Sequence, residues 1–294
     1  MKLKKIIKIL IVIVIILPIF YLSYYVKLDN ININFLNLIT FKFNNYKIND
    51  YKIDFIDLYI SSLKKKEHFI LNNNKLEGNN LSSEEVIVYN DKTEEPLIYI
   101  YNTHTNEEYN YTKNDIYNIV PTVKTASYIL QSELLKLGIN SVVESENTFN
   151  ILKERNLLSR DSYKISREYL EKGKKENPSL VYFIDLHRDS VKNTSITIDN
   201  VDYAKILFVL GLENNNYKEN KEVMTKLNNY FNLNYAGLSK GIYEKKGSGV
   251  NGVYNQDFSS NTMLIEIGGV ENNLLEVSNT LKVVASGIYN LINS

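Results

Sequence analysis

Two histidines and two glutamates in this sequence stand at or inside short apolar runs, where ionisable side chains are uncommon. LIYIY (97–101) leads into Asn102, Thr103 and His104, INSVV (139–143) into Glu144, and LVYFIDL (180–186) into His187, while TMLIEIGG (262–269) carries Glu266 within it. In an open parallel sheet, ligands bind beyond the carboxyl ends of the strands, so residues following different strands meet in one crevice although far apart in sequence. Zinc in a hydrolase is typically held by three nitrogen or oxygen side chains with a fourth position open, and two imidazoles plus one carboxylate meet that need. The remaining carboxylate is then available as a general base. Glu266 is the most telling of the four, because a carboxylate inside MLIEIGG is costly to bury without a partner.

Each residue also has a plainer use. A lone histidine at a strand end is more often structural than a ligand, and His68 in KKKEHF is of that kind. Glu144 and Glu146 compete for the ligand position after the second strand. Asp185 and His187 are two apart on one strand and so point to the same side, which makes Asp185 a hydrogen-bond partner behind the ligands, a ligand, or a structural capping carboxylate, the first and last being favoured.

The elements that must position these residues are those of an α/β domain with a mostly parallel sheet flanked by helices, because short apolar runs alternate with helical stretches beyond Pro96. Val123, Ala126, Leu130, Leu134 and Leu137 fall on one helical face, and Gly138 is placed to end that helix. A final helix over about 272–292 repeats apolar positions at Leu274, Val277, Leu281, Val284, Ile288 and Leu291.

Composition narrows the function further. The 294 residues carry 34 basic and 34 acidic side chains, a balance that lacks the electrostatic footprint of a nucleic-acid binder. With no cysteine, disulfides, thiolate metal sites and a cysteine nucleophile are excluded, and only three histidines are available as ligands. Residues 1–26 hold a basic tip followed by an apolar run of membrane-spanning length. The run exceeds a signal-peptide core and no small-residue cleavage pattern follows, so a transmembrane anchor is expected, with the N-terminus cytoplasmic and the remainder outside. Residues 27–95, rich in Asn, Lys and Asp, form the expected extracytoplasmic stem, with a short amphipathic helix over 54–63. The catalytic domain is expected at 96–294.

Three blocks, IYNTHTNEEY (100–109), YFIDLHRDS (182–190) and VNGVYNQDFSSNTMLIEIGGVENN (250–273), closely resemble the signature blocks of the stage II sporulation protein P family, in order and in spacing. That family consists of membrane-anchored peptidoglycan hydrolases of spore-forming bacteria, and the likeness extends from about residue 97 to the C-terminus. The resemblance implies a zinc-dependent N-acetylmuramoyl-L-alanine amidase fold with His104, Glu144 and His187 as metal ligands and Glu266 as the catalytic carboxylate. It further implies peptidoglycan as substrate, action in septal thinning and engulfment at the septal or forespore membrane, and a lytic transglycosylase of the stage II sporulation protein D type as partner. The rival activities are a zinc endopeptidase that cuts stem-peptide cross-links and a non-catalytic wall-tethering scaffold.

Asn102 and Asn106 depart from the pattern of many relatives, whereas Glu107 and Tyr109 keep it. Glu107, Asp185, Arg188, Asn255 and Gln256 are expected around the site, binding substrate or supporting the ligands. For Arg188 the choice is a stem-peptide carboxylate, the muramyl lactyl carbonyl region, or an ion pair with Asp185 or Asp189. Asn255 and Gln256 lie in a Gly-rich loop suited to contact sugar or peptide.

Overall fold

The computed structural model describes residues 95–110 and 120–294, so the expected anchor at 1–26, the stem at 27–95 apart from its last residue, and His68 lie outside the described residues. Among the described residues no helix is long and apolar enough to cross a membrane. The described chain runs β1 (Ile98–Tyr101), α1 (Val123–Lys136), β2 (Ser141–Val143), α2 (Thr148–Glu154), a 3-10 turn (Ser159–Asp161), α3 (Ser162–Glu176) and β3 (Tyr182–Asp189). It continues with β4 (Ser195–Ile198), β5 (Val201–Ala204), β6 (Ile206–Gly211), α4 (Tyr217–Asn234), β7 (Ser239–Lys245), a second 3-10 turn (Gln256–Phe258), β8 (Thr262–Gly269) and α5 (Leu274–Asn293).

Six strands form one sheet in the order β2-β1-β3-β8-β6-β7, and β4 and β5 make a separate hairpin. Every pairing in the large sheet is parallel except β6 with β8. The expected mostly parallel α/β sheet is therefore present, with one reversed strand pair. The reversal has a consequence for the site: β1, β3 and β8 finish at one end of the sheet, while β6, which leads into Glu213, finishes at the other.

Strand periodicity splits the sheet into two chemically different faces, because alternate side chains project to opposite sides. Ile98, Ile100, Ile184, Leu186, Ile265, Ile267, Ile206 and Phe208 join one continuous core with residues of α1, α4 and α5. The other face carries Tyr99, Tyr101 and Phe183, packed against Leu152 of α2 and Ile165, Tyr169 and Leu170 of α3. Asp185 and His187 follow Phe183 in the same alternation and stand on that second face.

Local signals explain most boundaries. α1 ends at Leu137, and Gly138 takes φ +77, the left-handed conformation that glycine adopts at no steric cost. α5 starts from Asn273, whose side chain accepts from Leu275 N and Glu276 N while Glu276 reaches back to Asn273 N. The β4–β5 hairpin turns through Asp199 and Asn200, both at positive φ, as a two-residue turn requires.

Between helix and sheet, one buried amide ties α4 to the entry of β8. Asn220 Nδ2 lies within 2.9, 3.0 and 3.1 Å of the carbonyl oxygens of Ser259, Ser260 and Thr262. Asn220→Ala removes the donor to the buried Thr262 carbonyl and is expected to lower stability by about 1–3 kcal/mol in chemical denaturation, with helix content unchanged.

Candidate metal centre

The loop after β1 is held by four polar contacts that set where His104 and Glu107 stand. Asn102 donates to Leu186 O at 2.6 Å and accepts from Ser127 Oγ at 3.1 Å, fastening the end of β1 to β3 and α1. The departure from the family pattern at Asn102 is thus a buried structural contact. Glu107 N donates to His104 O at 3.2 Å, closing a tight turn, and Tyr109 OH donates to Ile267 O of β8 at 3.0 Å.

This loop faces the end of β3. The imidazoles of His104 and His187 lie 5.4 Å apart between centroids, almost perpendicular, and His104 also meets the ring of Tyr163 edge-on at 5.8 Å. His187 is 4% exposed and sits between two carboxylates, with Nδ1 3.4 Å from Glu107 Oε2 and Nε2 2.9 Å from Asp185 Oδ1. The second contact is close but out of line with the ring N–H, so Nε2 remains a buried nitrogen without a hydrogen bond. Asp185 is fully buried and takes Thr103 N at 2.9 Å and Thr103 Oγ1 at 2.6 Å. Glu266 is the lateral neighbour of His187 in the β3–β8 register.

Of the expected residues, the structure brings together His104, Glu107, Asp185, His187 and Glu266. It does not bring Glu144 to the imidazoles. The Glu144 carboxylate accepts from Tyr99 OH and from Glu146 N, within its own loop, and the carboxylates whose charge acts on His104 are Glu107 and Asp185. Glu146 is exposed on that same loop, where its carbonyl takes Lys124 Nζ.

The remaining three expected residues are engaged with the protein itself. Arg188 directs Nε to Glu108 O at 2.8 Å and Nη1 to Asp189 O at 3.2 Å, so its partners are backbone carbonyls, and Asp189 pairs with Lys240 instead. Gln256 is fully buried, accepting from Gly211 N at 2.9 Å and donating to Val209 O at 2.7 Å, which ties it to β6. Asn255 donates to Tyr163 O and to Ser166 Oγ of α3. Neither amide is presented to a ligand. Glu107, which keeps the family pattern in the block that contains His104, was expected near the site and stands beside His187.

The electrostatics divide the two imidazoles. Burial lowers the pKa of His104, and the neighbouring His187 lowers it further, against smaller opposing effects of Glu107 and Asp185. For His187, burial also works against the charge, but Asp185 and Glu107 outweigh it and hold the pKa well above its ordinary value. Burial raises the pKa of Glu107, yet His187, the Arg188 N–H and His104 bring it below the usual carboxylate range. Glu266 is pushed up to about 7, mainly by burial and then by Asp189.

The donors suit zinc in kind. Atoms about 2 Å from one ion in a tetrahedral array stand about 3.3 Å from each other. The 3.4 Å between His187 Nδ1 and Glu107 Oε2 matches that edge. Among the described residues no group of three or more His, Asp or Glu side chains is gathered closely enough to hold an ion as it stands. His104, which no described side chain hydrogen-bonds, borders a cavity of about 340 Å³ shared with Thr105, Phe149, Leu152, Lys153 and Leu157.

Fold and site together define a mixed α/β sheet domain with paired imidazoles and carboxylates gathered where three parallel strands end. The chain belongs to the stage II sporulation protein P family, whose model matches residues 41–289. Stage II sporulation protein P of Bacillus subtilis (strain 168) is 32% identical over 201 residues, covering 64% of this chain and 49% of that protein, so the chain spans about half the length of this curated relative. Among solved structures, the CwlD amidase from Clostridioides difficile in complex with the GerS lipoprotein aligns with 67% of this chain and 96% of its own, at 12% identity and a TM-score of 0.43. A likeness that slight carries no argument about the site.

In metal-free protein the two site histidines are expected to titrate on opposite sides of about 6.5, the ordinary histidine value, with His104 below and His187 above. Glu107→Gln removes one of the two carboxylates that favour the His187 imidazolium and should lower its pKa, as read by NMR titration of the ring signals.

Proposed function

We propose that this chain is a zinc-dependent peptidoglycan hydrolase of sporulation that cleaves the amide between N-acetylmuramic acid and the L-alanine of the stem peptide. The observation that carries this proposal is the meeting of His104, Glu107 and His187 with Glu266 beside them, in a chain of the stage II sporulation protein P family. The ligands we assign are His104, Glu107 and His187. Glu107 replaces Glu144, whose carboxylate is held by Tyr99 and Glu146 N.

A zinc ion bound there would act as a Lewis acid on the scissile carbonyl. The protein's own groups do the rest. His104, kept neutral by burial and by His187, offers a lone pair. Asp185, behind His187, sets the direction of that ring. Glu266 takes a proton from the attacking water and returns it to the leaving nitrogen, so that water adds to the carbonyl carbon, the C–N bond breaks, and the products are a lactyl carboxylate and a free alanine amine. A pKa near 7 suits a group that must both accept and release a proton at neutral pH. The cavity beside His104 provides room for substrate on that ligand's side of the site.

We further propose that residues 1–26 anchor the chain with its catalytic domain outside the cytoplasm, at the septal or forespore membrane. A lytic transglycosylase of the stage II sporulation protein D type is the proposed partner on the same glycan strands.

Digestion of purified sacculi followed by mass spectrometry of the released muropeptides tests the bond. New N-terminal alanine is expected, whereas resolved cross-bridges with intact lactyl amides would indicate endopeptidase action, and no release would leave a wall-binding scaffold. Glu266→Gln should keep one zinc per chain while losing about 10²- to 10⁴-fold in turnover. Glu107→Gln should lose zinc and Glu144→Gln should retain it. The opposite metal stoichiometries would restore Glu144 as the ligand.

A further inference from the structure

Asp185 is reached from the far side of α3 by an unbroken row of buried polar groups. Asn255 Nδ2 lies 3.0 Å from Ser166 Oγ, which lies 2.8 Å from Thr103 Oγ1, which in turn lies 2.6 Å from Asp185 Oδ2. Asp185 Oδ1 accepts Thr103 N at 2.9 Å and stands 2.9 Å from His187 Nε2. Ser166, Thr103 and Asp185 are fully buried, and Asn255 is 7% exposed.

The ends of this row fix its direction. An amide NH₂ can only donate, an ionised carboxylate can only accept, and each hydroxyl between them owns a single proton. Asn255 therefore donates to Ser166, Ser166 to Thr103, and Thr103 to Asp185, so that every hydrogen points toward the carboxylate. The alternative acceptor for Ser166, the Tyr163 carbonyl, is more distant at 3.3 Å. Thr103 then holds both oxygens of Asp185, one through its hydroxyl and one through its backbone N–H, and the carboxylate has no freedom to turn away from His187.

The start of the row is delivered by an unusual turn. Tyr254 and Asn255 have φ of +54 and +55, a left-handed conformation that asparagine tolerates and tyrosine adopts rarely. Asn251 Oδ1 holds the turn by accepting Val253 N at 3.1 Å and Tyr254 N at 2.6 Å, and Gln256 ties its exit to β6. Backbone strain of this kind persists only where surrounding contacts over-determine it. Here those contacts aim the Asn255 amide inward at α3.

We propose that Asn255, Ser166 and Thr103 are positioning residues for His187. They orient Asp185, and through the 2.9 Å contact of its Oδ1 with Nε2 they hold the imidazole with Nδ1 turned toward Glu107. The consequence for zinc affinity rests on the metal-site assignment above, whereas the consequence for the ring does not. The competing account is that the row merely satisfies buried polar atoms and seats α3 on the sheet, in which case its loss alters stability alone.

The whole 294-residue chain, labelled with ¹⁵N-histidine, contains only three imidazoles and separates the two accounts. The parent is expected to show a slowly exchanging ring N–H that disappears in His187→Gln. Ser166→Ala and Thr103→Val should broaden or abolish that signal and weaken zinc binding about 10- to 100-fold, while Thr103→Ser, which keeps the hydroxyl, should preserve both. An unchanged ring N–H in both Ser166→Ala and Thr103→Val, with only a lower melting temperature, would overturn the proposal. Should Thr103→Val fail to fold, Ser166→Ala decides alone, because alanine is favourable inside a helix. A parent that binds no zinc would remove the metal-site assignment and leave the ring N–H as the judge of the positioning role.

Discussion

A carboxylate with no exposed surface, placed in the middle of a parallel strand, is the constraint around which this domain is built. An uncompensated buried charge costs several kcal/mol, so Asp185 stands only because donors converge on it. Thr103 supplies two of them from the loop that follows β1, and that loop is also the one that carries His104 and Glu107. Satisfying the charge and assembling the site are thus one act. The same two hydrogen bonds that make Asp185 tolerable draw the first block of the sequence over the end of β3.

The division of the sheet into two faces follows from the same place. The face under α1, α4 and α5 holds most of the apolar core. The opposite face begins in the same manner at Tyr99, Tyr101 and Phe183 but turns polar at Asp185 and His187, where α3 meets the sheet through Ser166. One helix therefore acts as a lid over aromatic packing at one end and as part of a hydrogen-bonded scaffold at the other. The two imidazoles inherit different environments from this arrangement, which is why burial acts on both while only His187 is held charged by flanking carboxylates.

Much of this was legible in the residues alone. The apolar runs at 97–101, 180–186 and 262–269 are strands, α1 occupies the expected helical face, and Gly138 ends it. His104 and His187 come from distant segments and meet because their strands are parallel neighbours. The reversal of β6 against β8 was not legible, since a continuous apolar run such as KILFVLG has no periodic feature that reports direction. Nor was the fate of Glu144, because a strand end defines a position along the sheet and says nothing of a phenol on the adjacent strand that claims the carboxylate. Asn255 and Gln256 are polar residues in a Gly-rich stretch, a pattern that suits ligand contact. Their burial depends on α3 and β6, which lie about 90 and 45 residues away.

The margins of the sheet have a bearing on how this domain meets other proteins. β2 is only three residues long, and β7 carries Lys240, Glu244 and Lys245 along its outer edge, with Glu244 paired to Lys221 and Lys245 lying over Tyr243. A short rim on one side and a charged rim on the other are poor templates for strand addition. Those two rims of the large sheet therefore discourage edge-to-edge stacking of one such sheet on another into an open-ended fibre.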